Sequence, residues 1–404
     1  MKYSSSKDFL KDRRILFFLF GTFFFMINIA VSYSIVPVYL ISQNATLAQI
    51  GISSTVYSLS AILLRIFLGP LADNKGRKFS LLISALSFIL SWILIWWAPS
   101  FSLHIFARII QSIGLALYMS TGSSVVSDVA EPKILGTCMG IYRGFLGLGF
   151  VLGPVIAFKL IEISFSAMFL GNIAFATISL LLLSFIKETS VISKEISVKG
   201  KKIFANYREL LKNHYLLRYY LLVITITSGF GILSTNSAIY LSGLEGVISP
   251  SLFLFSLASV GMIASFLGGN LVDKFGIRRV IIPAVIMALA GFLSMALISN
   301  IGNIAIVFVI ITIGFGTNST VVSSITGIER GTRKDLMATS FSIQESAYDG
   351  GFAIGNFIFG FLVIGLGYSY SFLIIGLLMG LSYLTIFLTE YMYIKKSVDN
   401  SRSE

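Results

Sequence analysis

One cysteine and two histidines are all the thiol and imidazole that this 404-residue chain offers. Cys138 alone excludes a disulfide framework and a thiolate metal site, and His104 with His214 is too small a set for zinc chemistry. Charge is scarce as well. Asp, Glu, Lys and Arg make up 12% of the residues, against roughly 25% in an average soluble domain, so the chain cannot cover a core with a polar surface. A membrane-embedded enzyme would need a nucleophile, a metal set or a cofactor loop. None stands out.

What the chain has is hydrophobic length. Hydrophobic residues are 56% of the total, and crossing a bilayer takes ~20 apolar residues. About twelve stretches qualify: Ile15–Ile41, Ile50–Leu71, Phe79–Trp97, Phe101–Val125, Ile134–Leu160, Phe165–Ile186, Leu216–Leu241, Ser251–Val272, Val280–Ile298, Asn303–Ile325, Leu336–Gly365 and Tyr368–Ile394. They lack the alternation of barrel strands, and backbone groups in lipid must be satisfied within the segment. The fold class is therefore an all-α membrane protein with 12 transmembrane helices. The first stretch is too long for the apolar core of a cleaved signal and counts as helix 1.

A net charge of +12 and a pI of 9.6 would suit a nucleic-acid binder, but the positions of the basic residues argue for topology instead. Twenty-six of the thirty fall on one side: five from Lys2 to Arg14, three in Lys75–Lys78, Lys133, eight from Lys187 to Arg218, three in Lys274–Arg279, three in Arg330–Lys334 and three after helix 12. Arg65, Arg108 and Arg143 lie inside helices, and Lys159 stands alone on the other side. Cytoplasmic loops attract such charge. The expectation is a multi-pass protein of the plasma membrane with both termini cytoplasmic, surrounded by the lipid bilayer and binding no nucleic acid.

The polar stretch Lys187–Lys212 splits the hydrophobic runs six and six, and self-similarity crosses it. Gly69-Pro-Leu-Ala-Asp73-Asn-Lys-Gly76-Arg77-Lys78 follows helix 2, and Gly269-Asn-Leu-Val-Asp273-Lys-Phe-Gly276-Ile277-Arg278-Arg279 follows helix 8. Val38-Tyr39-Leu40 pairs with Ile239-Tyr240-Leu241, and Gly149-xxx-Gly153 with Gly351-xxx-Gly355. Offsets of 200 to 202 in all three imply parallel repeats related by an axis along the membrane normal, with substrate bound between them near the midplane. The expected organisation is a tail at 1–14, a bundle at 15–186, a cytoplasmic linker at 187–215, a second bundle at 216–394 and a tail at 395–404.

The doubled loop has a physical logic. Gly69 lets helices approach, Gly76 permits a tight turn, and Arg77 and Lys78 hold the loop inside. Asp73 is the odd residue, because a carboxylate at a helix C-terminus opposes the macrodipole and needs a cation or a helix N-terminus as partner. In helix 11, Glu345 and Asp349 are four apart and share a face. Two carboxylates at low dielectric are not both comfortably ionised, so one can take up and release a proton. Asp349, deeper in the span, is the better candidate, whereas Glu345 is expected near enough to the end to be wetted or to partner the helix 2–3 loop. Asn28 and Tyr33 in helix 1, Arg143 in helix 5, Asn236 in helix 7 and Asn318 in helix 10 could line a cavity or equally serve as interhelical bonds. Arg65 is expected to snorkel to the surface, with no role towards substrate.

With these motifs the chain resembles the major facilitator superfamily, and within it the 12-helix proton-coupled drug and metabolite efflux branch. The resemblance implies two six-helix bundles about a central cavity that opens alternately to either side. It implies a latch on the cytoplasmic side built from Gly69, Asp73, Gly76 and Arg77 with Asp128 as the acidic member at the end of helix 4, and a weaker copy at Asp273 and Gly276 in which Ile277 replaces the arginine. Arg108-xx-Gln111-xx-Gly114 is similar to a family motif whose arginine is associated with proton coupling; a hydrogen-bond hub is the equal alternative. Gly140, Gly149, Gly153 and Pro154 in helix 5 resemble an antiporter motif, although Ala157 and Phe158 follow where that motif has glycines, and a plain packing face is the alternative. The function so implied is a monomeric secondary active transporter that moves a small organic solute by proton-coupled efflux, with no cofactor and the proton gradient as energy source. Uptake of an anionic metabolite against Arg108 and Arg143 is the main alternative, and a receptor or sensor without flux a further one.

Overall fold

A computed structural model describes residues 2–189 and 200–403, so the part of the expected linker at 190–199 lies outside the described residues. The long helices are α1 (Arg13–Ser34), α2 (Leu47–Lys75), α3 (Arg77–Trp97), α4 (Phe101–Val129), α5 (Leu135–Ile163), α6 (Phe165–Ser184), α7 (His214–Ser242), α8 (Pro250–Phe275), α9 (Ile277–Met295) and α10 (Asn303–Gly331). A final helical run, Met337–Ser403, would be ~100 Å long at 1.5 Å per residue, three times the hydrocarbon thickness. It is broken at Gly367 (φ 74°, ψ 174°) into α11 (337–366) and α12 (368–403). Among the described residues, twelve membrane helices result.

Local sequence explains the ends. Thr46 and Gln49 form a reciprocal capping box on α2, and Ser100, Ser164, Asn213 and Ser249 cap α4, α6, α7 and α8 through their side chains, each satisfying an orphan N–H. The expected single run Ile15–Ile41 is in fact divided at Ile35, with a second helix over Val36–Ser42. Pro37 lacks the N–H that an unbroken helix would need there. α2, α4, α8 and α10 each end several residues beyond the expected limits. Hydropathy marks the apolar slab, whereas these helices carry Asp73, Asp128, Asp273 and Glu329 past it. The expected linker also contains an amphipathic helix, Gly200–Lys212, whose Tyr207 hydroxyl donates to the Arg65 carbonyl at 3.0 Å.

The helices form two bundles, α1–α6 and α7–α12, that meet along two seams, α5 against α8 and α2 against α11. Relative to a water-soluble protein the distribution of polarity is inverted. Phe67, Leu181, Phe361 and Ile364 are exposed on the outside, whereas Ser120, Ser123 and Ser124 in α4 and Ser319, Ser323 and Ser324 in α10 are fully buried. Most of these hydroxyls donate to a carbonyl one turn back in their own helix, as Ser124 does to Ser120 and Ser323 to Ser319, which permits burial without a distant partner. The ends of α2, α4, α8 and α10 lie on the side that carries the basic loops, the basic side of the molecule.

Gly76 and Gly276 turn the chain between α2 and α3 and between α8 and α9 at φ 101° and 84°, a region that costs other residues about 1–3 kcal/mol. A Cβ on Gly76 would also stand 2.3 Å from the Glu188 carboxylate, whereas one on Gly276 meets nothing within 4 Å. Glu188 accepts the N–H groups of Arg77 (2.8 Å) and Lys78 (3.1 Å) and so caps α3 from the far end of the bundle. Gly76→Ala should therefore lower the melting temperature of the detergent-solubilised protein more than Gly276→Ala does; equal losses would show that backbone strain alone matters.

Candidate functional site

Between the bundles lies a cavity of about 800 Å³. Its wall is mostly apolar and soft, with Met26, Met119, Phe150, Phe230, Met262 and Phe352 contributed by six helices. Such a lining accepts varied shapes, because methionine adapts its rotamers at little cost. The larger polar groups are Tyr33, Arg65, Arg143, Asn318, Glu345, Tyr348 and Asp349, and Ser58, Ser234, Thr235, Ser265 and Thr317 add small hydroxyls. Of the residues expected to line a cavity, Tyr33, Arg143 and Asn318 do so. Asn28 and Asn236 do not. Asn28 is fully buried between α1 and α3, where it accepts the Trp92 indole N–H at 2.8 Å, and Asn236 donates to Asn356 on α11 at 3.0 Å. An amide in an apolar setting is held by the nearest partner that completes its bonds, and both found one on a neighbouring helix.

Two ion pairs cross between the bundles at the basic end of the cavity. Arg143 on α5 donates to Glu345 on α11 at 2.7 Å, and Arg65 on α2 donates to Asp349 on α11. Arg143 and Glu345 are equivalent positions in the repeat, offset by 202, so the pseudo-twofold axis brings opposite charges face to face. Arg65 and Asp349 have no such symmetry, since their equivalents are Ser265 and Gly147, both uncharged and both on the cavity wall.

Three expectations are corrected here. Arg65 does not snorkel; its side chain is 2% exposed, because the carboxylate across the seam is closer than water and completes its charge. Glu345 is not wetted, being 3% exposed, and its partner is Arg143 rather than the helix 2–3 loop. Glu345 and Asp349 share a face of α11 as expected, yet each has its own guanidinium, so repulsion between them is offset. Both line the cavity, and Asp349, at 27%, is the more exposed of the two.

Arg108 lies outside the cavity lining. Its guanidinium donates to Ser32 and Gln111, both at 2.5 Å, and sits 4.2 Å from the centre of the Tyr57 ring. That is a hub tying α1, α2 and α4 together. The α5 glycines are close-approach points: Gly140 meets the Ser265 carbonyl on α8, while Gly149 and Gly153 meet Phe23, Ala30 and Ile27 on α1. Pro154 sits inside α5 without ending it.

Beyond the ion pairs, both seams are tied at the basic side by carboxylates on helix N-termini. Asp73 accepts the N–H groups of Ala338 and Thr339 at the start of α11, each at 2.9 Å, and the Thr339 hydroxyl at 2.7 Å. Arg77 donates to Asp73 at 2.7 Å and to Asp128 at 3.1 Å. Across the other seam Asp273 accepts the N–H groups of Gly136 (2.8 Å) and Thr137 (2.6 Å) at the start of α5. Backbones approach closely at both places; a Cβ on Gly69 would lie 2.2 Å from the Ser342 hydroxyl, and one on Gly269 lies 2.0 Å from the Gly136 carbonyl. Bonds between the bundles thus gather at the basic side, and the cavity is closed there.

The chain matches the Major Facilitator Superfamily over residues 18–355. It belongs to that superfamily. It is 24% identical over 373 residues to an MFS-type transporter of Methanocaldococcus jannaschii, covering 89% of this chain and 94% of that one. It is 25% identical over 153 residues to the quinolone resistance protein NorA of Staphylococcus aureus, a match that spans 38% of this chain and 39% of NorA. Solved structures with the same fold include the human organic anion transporter MFSD10 (TM-score 0.77, 15% identity, 93% of this chain and 99% of that one) and the Escherichia coli fucose:proton symporter FucP (TM-score 0.75, 15% identity, 93% and 98%). This transporter is thus a secondary carrier and not an enzyme.

Sequence reasoning missed Tyr348, Glu188, the methionine lining and the partner of Arg65. The Arg65 signal was there, a guanidinium within a hydrophobic run and eight residues before Asp73, which by itself asks for a partner. Breaking a buried pair strands the remaining charge at a cost of about 3 kcal/mol. Arg65→Gln should accordingly depress thermal stability strongly, and Arg65→Gln combined with Asp349→Asn should recover most of the loss in a melting assay. Failure of the double variant to recover would remove the pair from the account.

Proposed function

We propose that this transporter exports a small organic solute in exchange for protons, with Asp349 as the proton-binding group. The observation that carries the reading is the Arg65–Asp349 pair: a carboxylate facing the cavity on one side and bonded across the bundle seam on the other. Protonating Asp349 removes its attraction for Arg65, and Glu345 is near enough to attract the released guanidinium. One proton taken up from the cavity therefore loosens a tie between α2 and α11. Coupling requires only that link between proton binding and the relative stability of two states.

The basic side is taken as cytoplasmic from its excess of Lys and Arg, in a monomer of the plasma membrane with both termini inside. The state described is then open to the exterior. A proton arriving from outside binds Asp349, the bundles rock, the cavity opens inwards, and the proton leaves as solute enters. Export rather than uptake is supported by the soft apolar lining, which suits drug-like compounds, and by the likeness to NorA. Uptake of an anion loses support from the positions of its two counter-charges, because Arg108 lies off the cavity and Arg143 is neutralised by Glu345.

In everted membrane vesicles, an imposed pH gradient, acid inside, should drive accumulation of an exported lipophilic dye. Asp349→Asn should abolish that accumulation yet preserve solute exchange at zero gradient. Uphill transport left intact in this variant would sink the assignment of Asp349, and accumulation indifferent to the gradient in the parent would sink proton coupling.

A further inference from the structure

The linker helix Gly200–Lys212 is fixed to the transporter along one side. Leu210 is 3% exposed, the half-buried Tyr207 donates through its hydroxyl to the Arg65 carbonyl on α2 at 3.0 Å, and Glu209 pairs with Arg333, in the loop before α11, at 3.3 Å. The helix thus touches both bundles at the α2–α11 seam. Arg65 stands ten residues before Lys75 at the end of α2, about 15 Å along it at 1.5 Å per residue. The linker helix therefore lies against the flank of the bundles and not out beyond their ends, and a single residue, Asn213, separates it from the first turn of the membrane helix α7.

A second stripe of the same helix is left uncovered. Phe204 (63% exposed) and Leu211 (46% exposed) are seven residues apart, two turns along one face, and the exposed Arg208 stands between them at spacings of four and three. Lys212, also exposed, follows one turn after Arg208. Lys201 and Lys202 open the helix in sequence, so it carries four cations against one acid, Glu209, which is already paired. Ala205, exposed and about 160° around the helix from Tyr207, marks the side that faces water. A single exposed apolar side chain needs no explanation. A Phe–Leu stripe edged by cations, on a helix beside the start of a membrane span, is the pattern of a helix seated at the bilayer surface.

We propose that this stripe is a docking surface for anionic phospholipid: Phe204 and Leu211 enter the upper acyl region while Arg208 and Lys212 hold the phosphate headgroups. Long cationic side chains reach headgroups from such a position with their stems laid on apolar ground, and each Lys or Arg near an anionic leaflet adds to the attraction. Lipid is the occupant that charge and place both favour, since the uncompensated charge of the helix is of one sign and the neighbouring α7 enters the bilayer one residue further on. The proposal concerns the linker alone and is independent of the direction and coupling of transport.

Leu211→Cys in a Cys138→Ser background gives a single thiol for an environment-sensitive fluorophore, read in protein reconstituted into lipid nanodiscs, whose two faces are both open to water. With phosphatidylglycerol mixed into phosphatidylcholine, the emission should shift to the blue and be quenched by lipids carrying a nitroxide high on the acyl chain, while aqueous iodide quenches little. In phosphatidylcholine alone the lipid quenching should weaken. Arg208→Gln with Lys212→Gln should lower it to that weaker level even with phosphatidylglycerol present, whereas Arg208→Arg-like charge retention by Arg208→Lys should keep it. The same label at Ala205→Cys should be quenched by iodide in both lipids. Iodide quenching at Leu211→Cys without a response to nitroxide lipid would mean a solvated face or a site for a soluble partner, and would overturn the proposal. Lipid quenching that is equal with and without phosphatidylglycerol overturns it as well, because headgroup recognition is then absent. So does inorganic phosphate that reproduces the blue shift in phosphatidylcholine, since the ligand is then a free anion and not a lipid.

Discussion

A carboxylate buried between two helix bundles must be answered by the opposite bundle, and the way the halves meet depends on that requirement. Asp73 and Asp273 sit at helix C-termini, where the local dipole repels them. Each is answered by the N–H groups that open a helix in the other half, α11 for Asp73 and α5 for Asp273. Because the chain is a repeat, one solution produces two seams. Rocking one bundle over the other must exchange these bonds for water, which is available at the basic side and absent at the midplane. On the proposed alternating mechanism, that places these bonds where they can open.

Deeper in the seam no helix end is on offer, and guanidinium groups take over. Arg143–Glu345 follows from symmetry; Arg65–Asp349 breaks it. Symmetry suffices for two bundles that meet alike, and Asp349 with Arg65 is the charged departure from the repeat that also faces the cavity, which is why the proposed proton coupling is placed there. Arg108, equally costly to bury, is satisfied inside the first bundle by Ser32, Gln111 and the Tyr57 face, and ties α1, α2 and α4 together.

Much of this was legible in one dimension. The helix count, the six-plus-six division and the doubled loop follow from hydropathy and internal similarity, since a span must be long and apolar and a repeat leaves its spacing. Asp73 could be read as needing a partner, and Glu345 with Arg143 could be read as equivalent. Arg65 was misread, and the cavity and interhelical readings of Asn28 and Asn236 stayed open, for a common reason. Nothing in the order of residues says which neighbouring helix presents Asp349 to Arg65, Trp92 to Asn28 or Asn356 to Asn236. The glycines of α5 show the converse: their spacing is compatible with a transport motif, yet each is occupied by a backbone or side chain of α8 or α1.

By itself the sequence determined that the chain crosses the membrane about twelve times as a repeat, with its basic loops on one side, because burial of backbone in lipid and the distribution of charge are properties of single segments. Only the tertiary structure decided which charges meet. Arg65 with Asp349 and Glu188 on the start of α3 join residues 284 and 111 positions apart. At such separations pairing is set by how helices pack and not by what stands beside a residue in the chain.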